Sequence, residues 1–140
     1  MKYILDSGYL YARLNNNDIK HECVISTSLP RNKIVYFPIP AITEVAYLLG
    51  RDLGIGAVAT FVRELSETDI ILEPPAPEDY LRSSDILRKY NDNNIDFVDA
   101  CIVAMAERLN ITKILTVDHR HFRIFKPEHC ESFELIPEAL

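Results

Sequence analysis

Short β-branched and aromatic runs alternate with longer amphipathic segments along the whole chain, and that alternation leaves few folds open. The runs are Tyr3-Ile4-Leu5, Lys33–Phe37, Asp69–Leu72 and Lys113–Thr116, with Phe133–Ile136 as a candidate fifth. The segments between them have helical spacing over Ser7–Leu14, Ile19–Leu29, Pro40–Arg51, Ile55–Leu65, Glu78–Tyr90 and Phe97–Leu109. Pro40 stands near a helix start, where its missing N–H costs nothing. Gly50 and Gly54 punctuate that helix's end, while Pro74, Pro75 and Pro77 stiffen a loop. Strands separated by helices pair in parallel and need cover on both faces. The expected fold class is therefore α/β, a three-layer α/β/α sandwich with a mainly parallel four- to five-stranded sheet. The 140 residues show no repeat, linker or compositional break, so one domain over residues 1–140 is expected.

Composition excludes several classes. At 48% hydrophobic the chain is too apolar to be disordered, yet no apolar run reaches the length of a membrane span. Asp6 interrupts the N-terminal MKYILDSGY after a short apolar run, so neither a signal peptide nor a transit peptide is expected. Cys23, Cys101 and Cys130 form no CxxC, which points to a reducing cytoplasm rather than a disulfide framework. A formal net charge of -6 excludes a protein that coats nucleic acid through bulk positive charge. Any such contact must be local or assisted by cations.

With 21 acidic residues, only the placement of the acids is informative. Asp6 directly follows the first strand, and Asp118 follows the fourth after one residue. Both project from the carboxyl edge of a parallel sheet, where open α/β folds bind ligands. Glu44 lies in the first turns of a helix joined to the second strand by only Pro38-Ile39. Asp99 lies in the first turn of a helix that Asn110-Ile111 connects tightly to the fourth strand, so its N-terminus returns to the same edge. Asp52 and Glu107 lie at the far ends of these two helices, and Asp69 precedes its strand. Glu73 remains a competitor, while Asp18, Asp79 and Asp85 cannot be placed. Asp99 is the only non-apolar residue from Phe97 to Ala106, and only Thr43 and Glu44 break the run Ala41–Leu49. Acids in such surroundings are paired, protonated or bound to a cation. Clustered carboxylates suit hard ions such as Mg²⁺ or Mn²⁺. Each acid also has a local alternative: Asp96 as a helix cap with Asp99 as its capping-box partner, Asp6 as a cap, Asp118 as a turn former. Asp96 stands between a cap and an outer ligand. Ser7 and Thr116 are candidate outer-shell hydrogen-bond donors to the acids.

The one basic, aromatic-interleaved stretch runs from His119 to Lys126 and directly follows Asp118. Arg120, Arg123 and Lys126 are candidates for RNA phosphates, against the alternative of a solvated loop. A zinc site of His119, His121 and Cys130 lacks the usual ligand spacing. Tyr9, Leu10, Leu14, Leu48, Leu49 and Ile55 are explained by core packing, with a partner surface as the alternative.

The ordered set ILDSGYLYARL, PAITEVAYLL, IDFVDACIVAMAERL and ILTVDHRHF resembles the PIN domain, most closely the VapC-type toxin ribonucleases of bacterial and archaeal toxin–antitoxin pairs. The resemblance covers nearly the whole chain. It implies a parallel-sheet α/β/α fold, a Mg²⁺- or Mn²⁺-dependent endoribonuclease acting on an RNA substrate, an antitoxin partner and a homodimer. The family's acids match Asp6, Glu44, Asp99 and Asp118, as metal-holding and catalytic residues. Gly8 departs from the pattern and is expected to loosen the helix start after Asp6. The alternative is a catalytically silent PIN-fold module that binds RNA or protein. A phosphotransferase of the haloacid-dehalogenase type would need an acid where Gly8 stands, and a receiver domain would need one where the second strand ends in Phe37-Pro38.

Overall fold

The computed structural model describes residues 1–140. Its order is β1 (Lys2–Leu5), α1 (Ser7–Leu14), α2 (His21–Ile25), β2 (Ile34–Pro38), α3 (Ile39–Leu53), α4 (Ile55–Leu65), β3 (Ile71–Glu73), α5 (Pro77–Lys89), α6 (Phe97–Leu109), β4 (Lys113–Leu115), α7 (His119–Phe122) and β5 (Glu134–Ile136). All five strands pair in parallel, in the order β3-β2-β1-β4-β5. The expected α/β class and parallel sheet are therefore observed. The centre of the sheet is its most apolar part: Ile4, Phe37 and Ile114 are fully buried, and every residue of α6 from Val98 to Ala106 is buried with them.

Three local features set the edge on which the candidate site lies. Pro38 ends β2 in extended geometry and passes straight into α3, with Pro40 in the first turn. Asn110 closes α6 in the left-handed region at φ 55°, a conformation Asn tolerates, so the chain turns at once into β4. Asp6 caps α1 immediately beyond β1. The N-termini of α1, α3 and α6 thus meet the carboxyl ends of β1, β2 and β4 on one edge.

Some expected bounds move. The helix expected over Ile19–Leu29 shrinks to His21–Ile25. The hydroxyls of Ser26 and Thr27 donate to the Cys23 carbonyl, and Leu29 precedes Pro30, which disfavours helical geometry. The third strand shifts to Ile71–Glu73 because the Ile70 N–H donates to the Thr68 hydroxyl in a turn. No helix is expected after Asp118, yet the basic stretch opens with the short α7; His119 is buried there, while Arg120, Arg123 and Lys126 are exposed. Gly8 sits inside α1 without loosening it. A Cβ there would lie 3.1 Å from Val117 Cγ2, so glycine lets α1 pack closely against the segment carrying Asp118.

Candidate active site

Asp6 is the hub of the edge, at 5% exposure. Its backbone N–H extends the ladder to the Leu115 carbonyl at 2.9 Å. Its Oδ1 accepts from the Ser7 N–H at 2.8 Å, and its Oδ2 accepts from the Thr116 hydroxyl at 2.8 Å. Thr116 in turn accepts from the Asp118 N–H at 2.9 Å, so one fully buried hydroxyl ties the ends of β1 and β4 together. The Ser7 hydroxyl donates to Glu44 Oε1 at 2.7 Å, linking α1 to α3. Ser7 and Thr116 thus each donate a hydroxyl hydrogen bond to one of the candidate acids.

Asp96 and Asp99 form the capping box. The Asp99 N–H donates to Asp96 Oδ1 at 2.9 Å, and the Asp96 N–H donates to Asp99 Oδ2 at 3.1 Å. Asp96 is exposed and takes the cap, whereas Asp99 is 8% exposed. Asp118 heads α7: it accepts from the His121 N–H at 3.2 Å, and its Oδ2 lies 2.7 Å from His121 Nδ1. Asp6, Asp99 and Asp118 thus take part in helix capping as well as lying on the candidate edge, whereas Glu44 caps no helix.

Burial dominates the electrostatics. It pushes the Asp6 carboxyl from its ordinary 3.8 to about 6; the Thr116 and Ser7 bonds pull down, and the charges of Asp118 and Glu44 push further up. Asp99 is raised well above the usual carboxylate range, first by desolvation and then by the charge of Asp96, with Asp6 and Asp118 adding to it. Glu44 is raised by burial, against its Ser7 bond, with the charge of Asp96 adding. The acids named from connectivity are therefore close enough to feel one another. No three of them close to the spacing that the ligands of one ion require. Each carboxylate has four lone-pair directions and spends only part of them on the bonds above. In donor chemistry, carboxylate oxygens only, the set is that of a hard divalent cation, which would have to draw the acids closer together than they stand.

The competing acids go elsewhere. Arg108 draws Asp79 (2.9 Å) and Glu73 (3.4 Å) into its own ion-pair cluster, and Arg82 takes Glu107 at 2.8 Å. Asp52 pairs with Arg51. His119, His121 and Cys130 do not assemble into a metal site. Arg120, Arg123 and Lys126 are exposed; Arg123 Nη2 lies 3.4 Å from His119 Nδ1, and the Lys126 N–H donates to the Tyr90 hydroxyl. The pairing of His121 with Asp118 was not anticipated, although their spacing after a capping Asp carries the signal.

The PIN domain family model matches residues 3–126. Ribonuclease VapC26 of Mycobacterium tuberculosis is 29% identical over 138 residues, covering 96% of this chain and 99% of that protein. The crystal structure of M. tuberculosis VapC20, a sarcin-ricin-loop-cleaving toxin, superposes with a TM-score of 0.74 at 19% identity, over 84% of this chain and 90% of that one. VapBC2 from Rickettsia felis, bound to a DNA fragment from its promoter, superposes with a TM-score of 0.64 at 13% identity, over 96% and 97%.

Proposed function

The chain belongs to the PIN domain family, and from that we propose that it is a metal-dependent endoribonuclease, the toxin of a toxin–antitoxin pair. The observation that carries this reading is the burial of Asp6 and Asp99 beside Glu44 and Asp118 on the carboxyl edge of the sheet. A silent binding module would have no use for acids held in so unfavourable a setting. Similarity to a VapC ribonuclease over nearly the full length of both chains supports the same activity. Asp6, Glu44, Asp99 and Asp118 would hold Mg²⁺ or Mn²⁺, which when bound supplies an activated water and stabilises charge on the leaving oxygen. The chain's own part is orientation. Thr116 and Ser7 fix the carboxylates of Asp6 and Glu44, the Asp96 box fixes Asp99, and His121 holds Asp118. Arg120, Arg123 and Lys126 supply local positive charge to RNA. The antitoxin would set an Arg or Lys among the acids and so block metal and RNA together.

The test is cleavage of RNA by the purified chain with Mg²⁺ or Mn²⁺. Activity is expected to vanish in EDTA and in Asp99→Ala, while circular dichroism shows the variant folded. Cleavage that survives EDTA, or full activity in Asp99→Ala, overturns the reading.

A further inference from the structure

An aromatic surface that the cleavage chemistry does not use begins at the first residue of α6. Phe97 follows the capping Asp96 and opens α6, and Tyr80 of α5 faces it. Their rings are parallel to within 6°, with centroids 6.4 Å apart. They remain 46% and 51% exposed. In α6 every residue from Val98 to Ala106 is buried, so Phe97 is set apart at the end of the helix that meets the candidate active site.

The surroundings of the rings indicate what they meet. They border an open groove of about 510 Å³, lined also by Ser84, Leu87, Arg88 and Asn91. Arg88, like most of the basic residues, makes no ion pair, and it is the one cation in this lining. The groove therefore offers ring faces, hydroxyl and amide groups and one free guanidinium. Those are complements to the three parts of a nucleotide: the π-face of a base, its polar edge and the adjoining phosphate. An amphipathic protein helix would need a continuous apolar floor, which Ser84, Arg88 and Asn91 interrupt.

We propose that Tyr80 and Phe97 form a stacking platform for an unpaired base of the RNA strand next to the cleavage site, with Arg88 on the adjoining phosphate. The proposal rests on the ribonuclease reading and narrows its substrate class. A base that stacks on a side chain must be free of its own helix, so the strand is single-stranded or looped at this point. Stacking is tolerant of base identity, so the platform adds grip without dictating sequence.

The test reads binding apart from cleavage, in an Asp99→Ala background with a fluorescently labelled, unstructured RNA oligonucleotide. Tyr80→Leu/Phe97→Leu is expected to weaken binding by roughly tenfold or more. Tyr80→Phe, which keeps the ring, is expected to bind as the background protein does. A strand of the same length made abasic at the platform position is expected to bind the background protein and the double leucine variant equally. The chain has no tryptophan, so Phe97→Trp gives a single reporter whose fluorescence falls as a base stacks on it. Undiminished affinity in the double leucine variant, a loss just as large on the abasic strand, or indole fluorescence in Phe97→Trp that is indifferent to RNA overturns the platform. A double leucine variant that changes from dimer to monomer in sedimentation assigns the rings to a contact between copies and also overturns it. The activity itself is judged separately: failure of the unmodified protein to cleave any RNA with Mg²⁺ or Mn²⁺ sinks the ribonuclease reading, while the binding series still decides the platform.

Discussion

Replacing Asp6 by asparagine is expected to stabilise the folded protein at neutral pH while abolishing cleavage. The Asp6 carboxyl sits at about 6 against an ordinary 3.8, so holding it ionised at pH 7.5 without a cation costs the fold about 3 kcal/mol. The sign follows from proton counting. Between these two values the folded protein keeps a proton that the unfolded chain has already released, so stability declines as pH rises through that window. The penalty is absent below the lower value and complete above the upper one. Asparagine has no charge to desolvate and escapes it. The amide has one acceptor oxygen where the carboxylate uses two, for Ser7 and for Thr116, so one bond worth about 1 kcal/mol is lost. The net gain is about 2 kcal/mol, or roughly 6 °C in Tm for a domain of this size. The assay is thermal unfolding in EDTA at pH 7.5 and at pH 4, where the wild-type Asp6 is largely protonated and the variant is expected to be slightly the less stable. A variant that melts below wild type at pH 7.5, or that gains equally at both pH values, refutes the desolvation argument.

Thr116→Val removes the donor to Asp6 and the acceptor of the Asp118 N–H; a loss of roughly 2 kcal/mol is expected in denaturant titration, with Asp6 titrating still higher by NMR. Gly8→Ala brings a Cβ to 3.1 Å from Val117 Cγ2, so the helix-propensity gain of about 1 kcal/mol is expected only in a Val117→Ala background; a double-mutant cycle showing no coupling counts against the close-approach argument. Arg120→Glu/Arg123→Glu is expected to flatten the salt dependence of RNA affinity, lowering the log–log slope by about 1.4 for a single strand; an unchanged slope places the grip elsewhere.

The strand–helix alternation carried the sheet and its direction, because parallel pairing leaves connectivity little choice. Asp6, Glu44, Asp99 and Asp118 followed from the same logic, since each lies within a few residues of a strand end or a tight connection. The errors arose where side chains compete with the backbone. Ser26 and Thr27 cut α2 short, and the hydroxyl of Thr68 displaced the start of β3. Asp118 caps a short helix for which the sequence holds no signal beyond a turn, carrying His119 inward. Tyr80 lies outside any sequence argument, because its meeting with Phe97 depends on how α5 packs against α6.

The three longer helices that open on the acid edge have an electrostatic effect of their own. The starts of α1, α3 and α6, at Ser7, Ile39 and Phe97, each bring the end of a column of aligned peptide dipoles to this edge. Each end acts as about half a positive charge, so the three together set roughly one and a half positive charges against the carboxylates. This positive component does not titrate, carries no flexible side chain to order, and survives every substitution at the acids. The edge is therefore less hostile to a polyanion than its side chains suggest, and part of the explanation for RNA approaching a chain of net charge -6 lies in the backbone itself.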